Sequence, residues 1–175
     1  IVDEVQTGLG RTGKLFAYEH YGIRPDVVTI AKSLGGGIPC GALLVSESAN
    51  VFTPGDHSTT IGGGGMAFAA GLATLKLLQQ PDLMAKVTRK GQYIKDGWEE
   101  WRKTLPVIKG YRGLGMMLAL ELNTSSKQVM LACLEAGLIV NAVSETALRI
   151  LPALNIEEAD LEQGLAIMKK VLQQF

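Results

Sequence analysis

The stretch Pro25-Asp-Val-Val-Thr-Ile-Ala-Lys32-Ser-Leu-Gly35-Gly36-Gly37 decides how this chain is read. Val27 to Ala31 is a short, β-branched apolar run preceded by a turn at Gly22 to Asp26, which is the pattern of a buried strand. Lys32 follows the run directly and three glycines close the stretch. A single amine therefore stands where a strand opens into a glycine-rich turn, the edge at which α/β proteins gather reactive groups. Taken alone, Lys32 is either a surface lysine at a strand end or an amine desolvated by apolar neighbours. A desolvated amine is a usable nucleophile toward an aldehyde.

Around this stretch the composition sets bounds. With 175 residues, 47% of them hydrophobic, the chain can bury a core as one ordinary domain or two small ones. Seventeen basic and seventeen acidic residues cancel, and no basic block carries interleaved aromatics, so neither nucleic acid nor an anionic membrane is an expected partner. Cys40 and Cys133 are far apart and form no metal-ligand spacing. No signal peptide or long apolar span is present, and a reducing, cytoplasmic compartment fits. Only Ile1-Val2 precede the charged pair Asp3-Glu4, whereas buried strands usually run about five or six residues. The opening strand reads as cut short, and the chain as a partial sequence.

Gln6 to Lys14 form a loop in which Gly8, Gly10 and Gly13 match G-x-G-x-x-G and Gly8 to Lys14 nearly match a Walker loop. Leu15 removes the Walker hydroxyl, and Asp-Glu-Val-Gln-Thr stands where a dinucleotide site wants a continuous apolar strand. Glycines supplying positive φ are the simpler account. Leu15 to Tyr21 predicts one or two helical turns, and Gly41 to Ser46 a further strand. Four glycines, 62 to 65, lead into a helix at about Met66 to Gln79 that is apolar on nearly every side and so is expected between layers. Pro81-Asp82 marks a boundary, giving domains at 1–80 and 81–175. In the second, Leu83, Val87, Ile94, Trp98, Trp101 and Leu105 predict one apolar stripe on a long helix. Strands are expected at 107–111 and 115–122, joined by Arg112-Gly113-Leu114. A Ser125/Gln128 capping box should start a helix that Gly137 stops. Short strands at 138–141 and 148–151 follow, then a helix capped by Asn155, with Leu161, Leu165, Met168 and Leu172 on one face. The C-terminal part is therefore a small α+β unit.

A lysine that binds pyridoxal phosphate needs a carboxylate for the pyridine nitrogen, a clamp for the phosphate and a cation for an amino-acid carboxylate. Asp3 ends the first strand, and parallel neighbours would bring it to the same crevice as Lys32. Alone it could equally be a loop-edge aspartate in a surface ion pair. The run Asp3-Glu-Val5-Gln6-Thr-Gly8-Leu-Gly10-Arg11-Thr12-Gly13, then Pro25 to Gly37, then His57-Ser-Thr-Thr60, resembles the class III aminotransferases that use pyridoxal phosphate. Within them it is most similar to acetylornithine and succinylornithine aminotransferases, helped by Lys14 to Gly22. Arg112-Gly-Leu-Gly115 and Leu148-Arg149-Ile-Leu-Pro152-Ala-Leu-Asn155 extend the likeness toward the last helix.

This resemblance implies an α/β fold: the C-terminal part of the large domain of a PLP-dependent transferase of fold type I, followed by a small α+β domain. It implies that Lys32 forms the internal aldimine and moves a proton at the substrate Cα, and that Asp3 partners the pyridinium. Val5 would pack on a ring face, Gln6 would reach the phenolic oxygen, and Thr60 would bind the phosphate of a neighbouring subunit's cofactor in a homodimer with shared active sites. Arg149 would hold the substrate α-carboxylate with its planar fork; alone it could be a structural arginine. The implied reaction moves an amino group from N-acetylornithine, or a similar ω-amine, to 2-oxoglutarate. Aminomutase or decarboxylase chemistry would use the same Lys32 and Asp3, and an inactive piece lacking the upstream half of the site is the other alternative. Two departures stand out: Ile61 replaces a usual aromatic, and Gly64-Gly65 replaces a usual Asn-Pro, which removes a helix cap and a preset first turn.

Overall fold

The computed structural model describes residues 1–60 and 62–175, so Ile61 and its departure lie outside the described residues. Two compact units divide the chain, Ile1–Met84 and Ala85–Phe175.

The first unit holds a three-stranded sheet in the order β1 (Val2–Asp3), β2 (Val27–Ile30), β3 (Ala42–Val45). β1 runs parallel to β2 with Asp3 opposite Thr29, and β3 is antiparallel to β2. Val28 and Ile30 are buried on one face of β2 while Val27 and Thr29 are half-buried on the other, the alternation a strand imposes. The turns expected in Leu15 to Tyr21 are a single 3₁₀ helix, Ala17–His20. A second 3₁₀ turn, Lys32–Gly35, leaves β2 and ends at Gly36, which adopts φ 58°.

Helix α1 (Gly65–Leu78) rests on that second turn: a Cβ on Gly71 would lie 3.3 Å from the Leu34 carbonyl oxygen. Its expected place between layers is not what this unit provides. Only Ala67, Gly71 and Leu78 are buried, while Met66, Phe68, Leu72 and Leu77 are exposed. One neighbour, the 3₁₀ turn, covers one face, and the three-stranded sheet supplies no second layer for the rest.

The second unit packs α2 (Leu83–Arg102), α3 (Ser126–Glu135) and α4 (Glu158–Leu172) around a four-stranded antiparallel sheet. Its order is β4 (Ile108–Leu114), β5 (Met117–Leu122), β7 (Ala147–Ile150), β6 (Asn141–Ser144). Both tryptophans are core, with Trp98 fully buried and Trp101 nearly so. They share a cluster with Leu118, Leu120 and Leu122, every second residue of β5, and with Leu161, Leu165, Met168 and Leu172 of α4, as the helical spacing predicts. Burial of side chains this large stabilises by roughly 1.5–3 kcal/mol each.

Three local expectations are corrected here. Arg112, Gly113 and Leu114 continue β4 instead of forming the connection, which falls at Gly115-Met116. Ser125 occupies the N-cap position of α3 without a side-chain cap bond, and Ser126 instead donates its hydroxyl to the Ser144 carbonyl. Helix α4 is preceded by Glu157 and not by Asn155, so the Asn cap is absent. Gly137 does stop α3: it adopts φ 85°, and the Leu138 N–H returns to the Cys133 carbonyl at 2.8 Å, the αL termination that glycine makes cheap.

Candidate active site

β1 and β2 end side by side because they are parallel neighbours in register, and this brings Asp3 and Lys32 to the same sheet edge. The Asp3 carboxylate is held by two donors on one oxygen: the Val5 N–H and the Thr29 hydroxyl both donate to Oδ1 at 2.9 Å. Those bonds, the backbone one first, keep its pKa below the ordinary aspartate value; desolvation works against them, and the Lys32 charge adds the least of the lowering contributions. Asp3 is therefore an ionised, solvent-facing carboxylate.

Lys32 adopts φ 49°, one of two non-glycine residues with positive φ among those described. Left-handed backbone costs an L-residue roughly 1–2 kcal/mol, and such cost collects at functional positions. Its side chain is exposed, which corrects the expected desolvation. The run before it is apolar, but β2 ends at Ile30 and Lys32 opens the exposed start of the 3₁₀ turn that follows. No hydrogen bond or ion pair to its amine is seen among the described residues, so the amine is available for a ligand.

The loop after β1 is fixed by a residue that sequence reading passed over. Glu4 is 1% exposed; its Oε1 accepts the Tyr18 N–H at 2.9 Å and its Oε2 the Thr7 hydroxyl at 2.5 Å. The Gly8 N–H donates to the Glu4 carbonyl, and a Cβ on Gly8 would come within 2.9 Å of that oxygen. Gly10 and Gly13 supply positive φ, both 89°. Each glycine thus serves loop geometry. Val5 and Gln6 lie half-buried beside Asp3. Thr60 is exposed in the connection leading to α1, with no contact to Asp3 or Lys32 seen among the described residues.

Arg149 belongs to the second unit, on β7 opposite Ala119 and Asn141. Its Nε is buried without a hydrogen-bond partner, and its side chain helps line a cavity of about 220 Å³ with Leu138, Val140 and Ile150. A buried guanidinium nitrogen left unsatisfied is costly and suits an anionic guest. Among the described residues there is no group of three or more His, Cys, Asp or Glu placed to hold a metal, and no helix long and apolar enough to cross a membrane.

Residues 1–172 match the family model described as Aminotransferase class-III. The chain belongs to the class III aminotransferases. Acetylornithine aminotransferase of Caldanaerobacter subterraneus subsp. tengcongensis is 45% identical over all of this chain, which covers 45% of that protein. Succinylornithine transaminase of Photorhabdus laumondii is 39% identical over the whole chain and is likewise covered to 45%. Among solved structures, acetylornithine aminotransferase from Elizabethkingia anophelis superposes with TM-score 0.90 at 31% identity, covering 98% of this chain and 45% of that one. Ornithine δ-aminotransferase of Plasmodium falciparum gives 0.91 at 35% identity. The chain spans less than half the length of these relatives. The fold is accordingly part of the PLP-dependent aminotransferase fold, an α/β architecture, and pyridoxal phosphate is the cofactor of the class III family. The residues of the first unit fit that group: an ionised Asp3 carboxylate with one oxygen uncommitted and, after β2, the Lys32 amine with no hydrogen bond or ion pair seen among the described residues.

Proposed function

We propose that this chain carries the lysine, the ring-nitrogen carboxylate and the substrate-carboxylate clamp of an aminotransferase that moves an amino group from N-acetylornithine, or a similar ω-amine, to 2-oxoglutarate. The observation that carries the proposal is the pairing, at one sheet edge, of a pinned Asp3 carboxylate with an unpartnered Lys32 on left-handed backbone. Lys32 would hold the cofactor, and its Nζ would take up and return the proton at the substrate Cα. Asp3 would accept a hydrogen bond from the protonated ring nitrogen, while Val5 would pack on a ring face, Gln6 would reach the phenolic oxygen and Thr60 would bind the phosphate of the neighbouring subunit's cofactor. When bound, pyridoxal phosphate supplies an electron sink for charge developing at Cα. Arg149 would orient the substrate through its α-carboxylate, which its fork of donors matches.

The names of these two relatives support an acylated ornithine as donor. In this reading 1–80 is part of the cofactor-binding large domain and 81–175 the small C-terminal domain. The enzyme is a cytoplasmic homodimer of arginine biosynthesis whose active sites are shared, with Thr60 serving the partner's cofactor.

Adding pyridoxal phosphate to the purified protein and reducing with borohydride should leave a stable label that peptide mapping finds on Lys32. Lys32→Ala should abolish it, and undiminished labelling of that variant would sink the assignment. With 2-oxoglutarate as acceptor, N-acetylornithine should outrun unrelated amines; equal rates would remove the donor assignment.

A further inference from the structure

The carboxylate at the sheet edge has a neighbour whose role no family motif names. Thr29 lies opposite Asp3 in the parallel ladder, on the half-buried face of β2, and its hydroxyl donates to Oδ1 at 2.9 Å. The Val5 N–H takes the same oxygen at the same distance. Two donors on one oxygen fix both torsions of a short side chain, and among the described residues no bond is seen to Oδ2. The carboxylate is thus divided into an anchored oxygen and a presented one.

We propose that Thr29 is a positioning residue that locks Asp3 so that Oδ2 faces the ring nitrogen of the bound cofactor. The proposal rests on the reading of Lys32 and Asp3 given above. A hydroxyl is needed at this place because the Val5 N–H alone leaves the carboxylate free to swing about one bond, and a swinging acceptor gives up part of its affinity to the entropy of being ordered. Neither Thr29 nor Asp3 is deeply buried, so removing one methyl or one hydroxyl opens no core cavity. Valine has the same shape as threonine and an equal liking for strands, which makes Thr29→Val a replacement of the hydroxyl alone. Thr29→Ser keeps the hydroxyl.

The test compares wild type, Thr29→Val, Thr29→Ser and Asp3→Asn in the purified protein. It reads the side-chain carboxyl ¹³C resonance of Asp3 at neutral pH, the dissociation constant for pyridoxal phosphate, and the thermal midpoint. Thr29→Val should displace the Asp3 resonance and weaken cofactor binding about tenfold, the size of one charge-assisted hydrogen bond. Thr29→Ser should restore both to near wild type, and the thermal midpoint should show every variant still folded at the assay temperature. If Asp3→Asn weakens binding while Thr29→Val stays within twofold of wild type, the role of Thr29 is overturned and the site stands. If wild type itself fails to take up pyridoxal phosphate although the Asp3 resonance moves in Thr29→Val, the functional reading falls, and the cofactor role of Thr29 with it.

Discussion

Asp3 carries its charge at a strand end with one oxygen doubly engaged, and acid should therefore reach it late. Its folded-state pKa lies below that of a free aspartate, so the stabilisation it gives is complete above about pH 4, the unperturbed value, and is lost as pH falls through the lower folded value. In an NMR titration Asp3 should protonate below the free-aspartate range, and Thr29→Val should move that titration upward. An Asp3 that titrates at or above the free value would contradict the two bonds. At this scale the sequence was informative where chemistry is loud. Lys32 and Asp3 could be singled out because reactive side chains stand where apolar runs stop. Thr29 and Glu4 were silent. Which residue faces Asp3 across a ladder depends on strand register, and the depth of Glu4 depends on how the following loop folds back over it; neither is written in local composition.

Among the elements, α2 sets two glycines against each other. Gly91 falls on the buried stripe with Val87, Ile94, Trp98 and Trp101, and a Cβ there would sit 1.9 Å from the Gly115 carbonyl oxygen. The helix meets the β4–β5 turn backbone to backbone. Gly97, in the same helix, would place a Cβ 4.0 Å from Trp101 and meet nothing closer. Urea unfolding should find Gly91→Ala destabilised by about 3 kcal/mol or more, and Gly97→Ala stabilised by about 0.5–1 kcal/mol through helix propensity. Similar losses in both variants would refute the close approach. The stripe itself was readable from its spacing, as was the buried face of α4. The burial of α1 was not, because periodicity reports which faces are apolar and not whether a layer exists to cover them. The bounds of the β4–β5 hairpin differ from the expected ones for a related reason. Gly113 looked like a turn residue, yet it lies within β4, where a side chain would strike the Met117 carbonyl oxygen at 2.1 Å.

For the molecule as a whole, the two units differ in how much core each owns. The large cluster of buried side chains, from Ile94 to Leu172, lies entirely in the second unit. Among the described residues, the first unit buries only a few apolar side chains, Leu9, Val28, Ile30 and Leu34 among them. Protection against amide exchange follows local packing. Native-state hydrogen exchange should therefore find the slowest amides in β5, β7 and the middle of α2, with β2 exchanging well before them; β2 amides that outlast those of β5 would overturn this ranking. The α/β character of the first part and the α+β character of the second were legible because one places a strand before a glycine turn and the other alternates short strands with amphipathic helices.

The left-handed backbone at Lys32 also bears on descent. Lysine is held there against its own backbone preference. Under the role proposed for its amine, a lineage that gave up that role would gain by drifting to glycine or asparagine, which take this backbone more readily. Residue 32 would then be the position at which a retired copy of the gene parts from a working one.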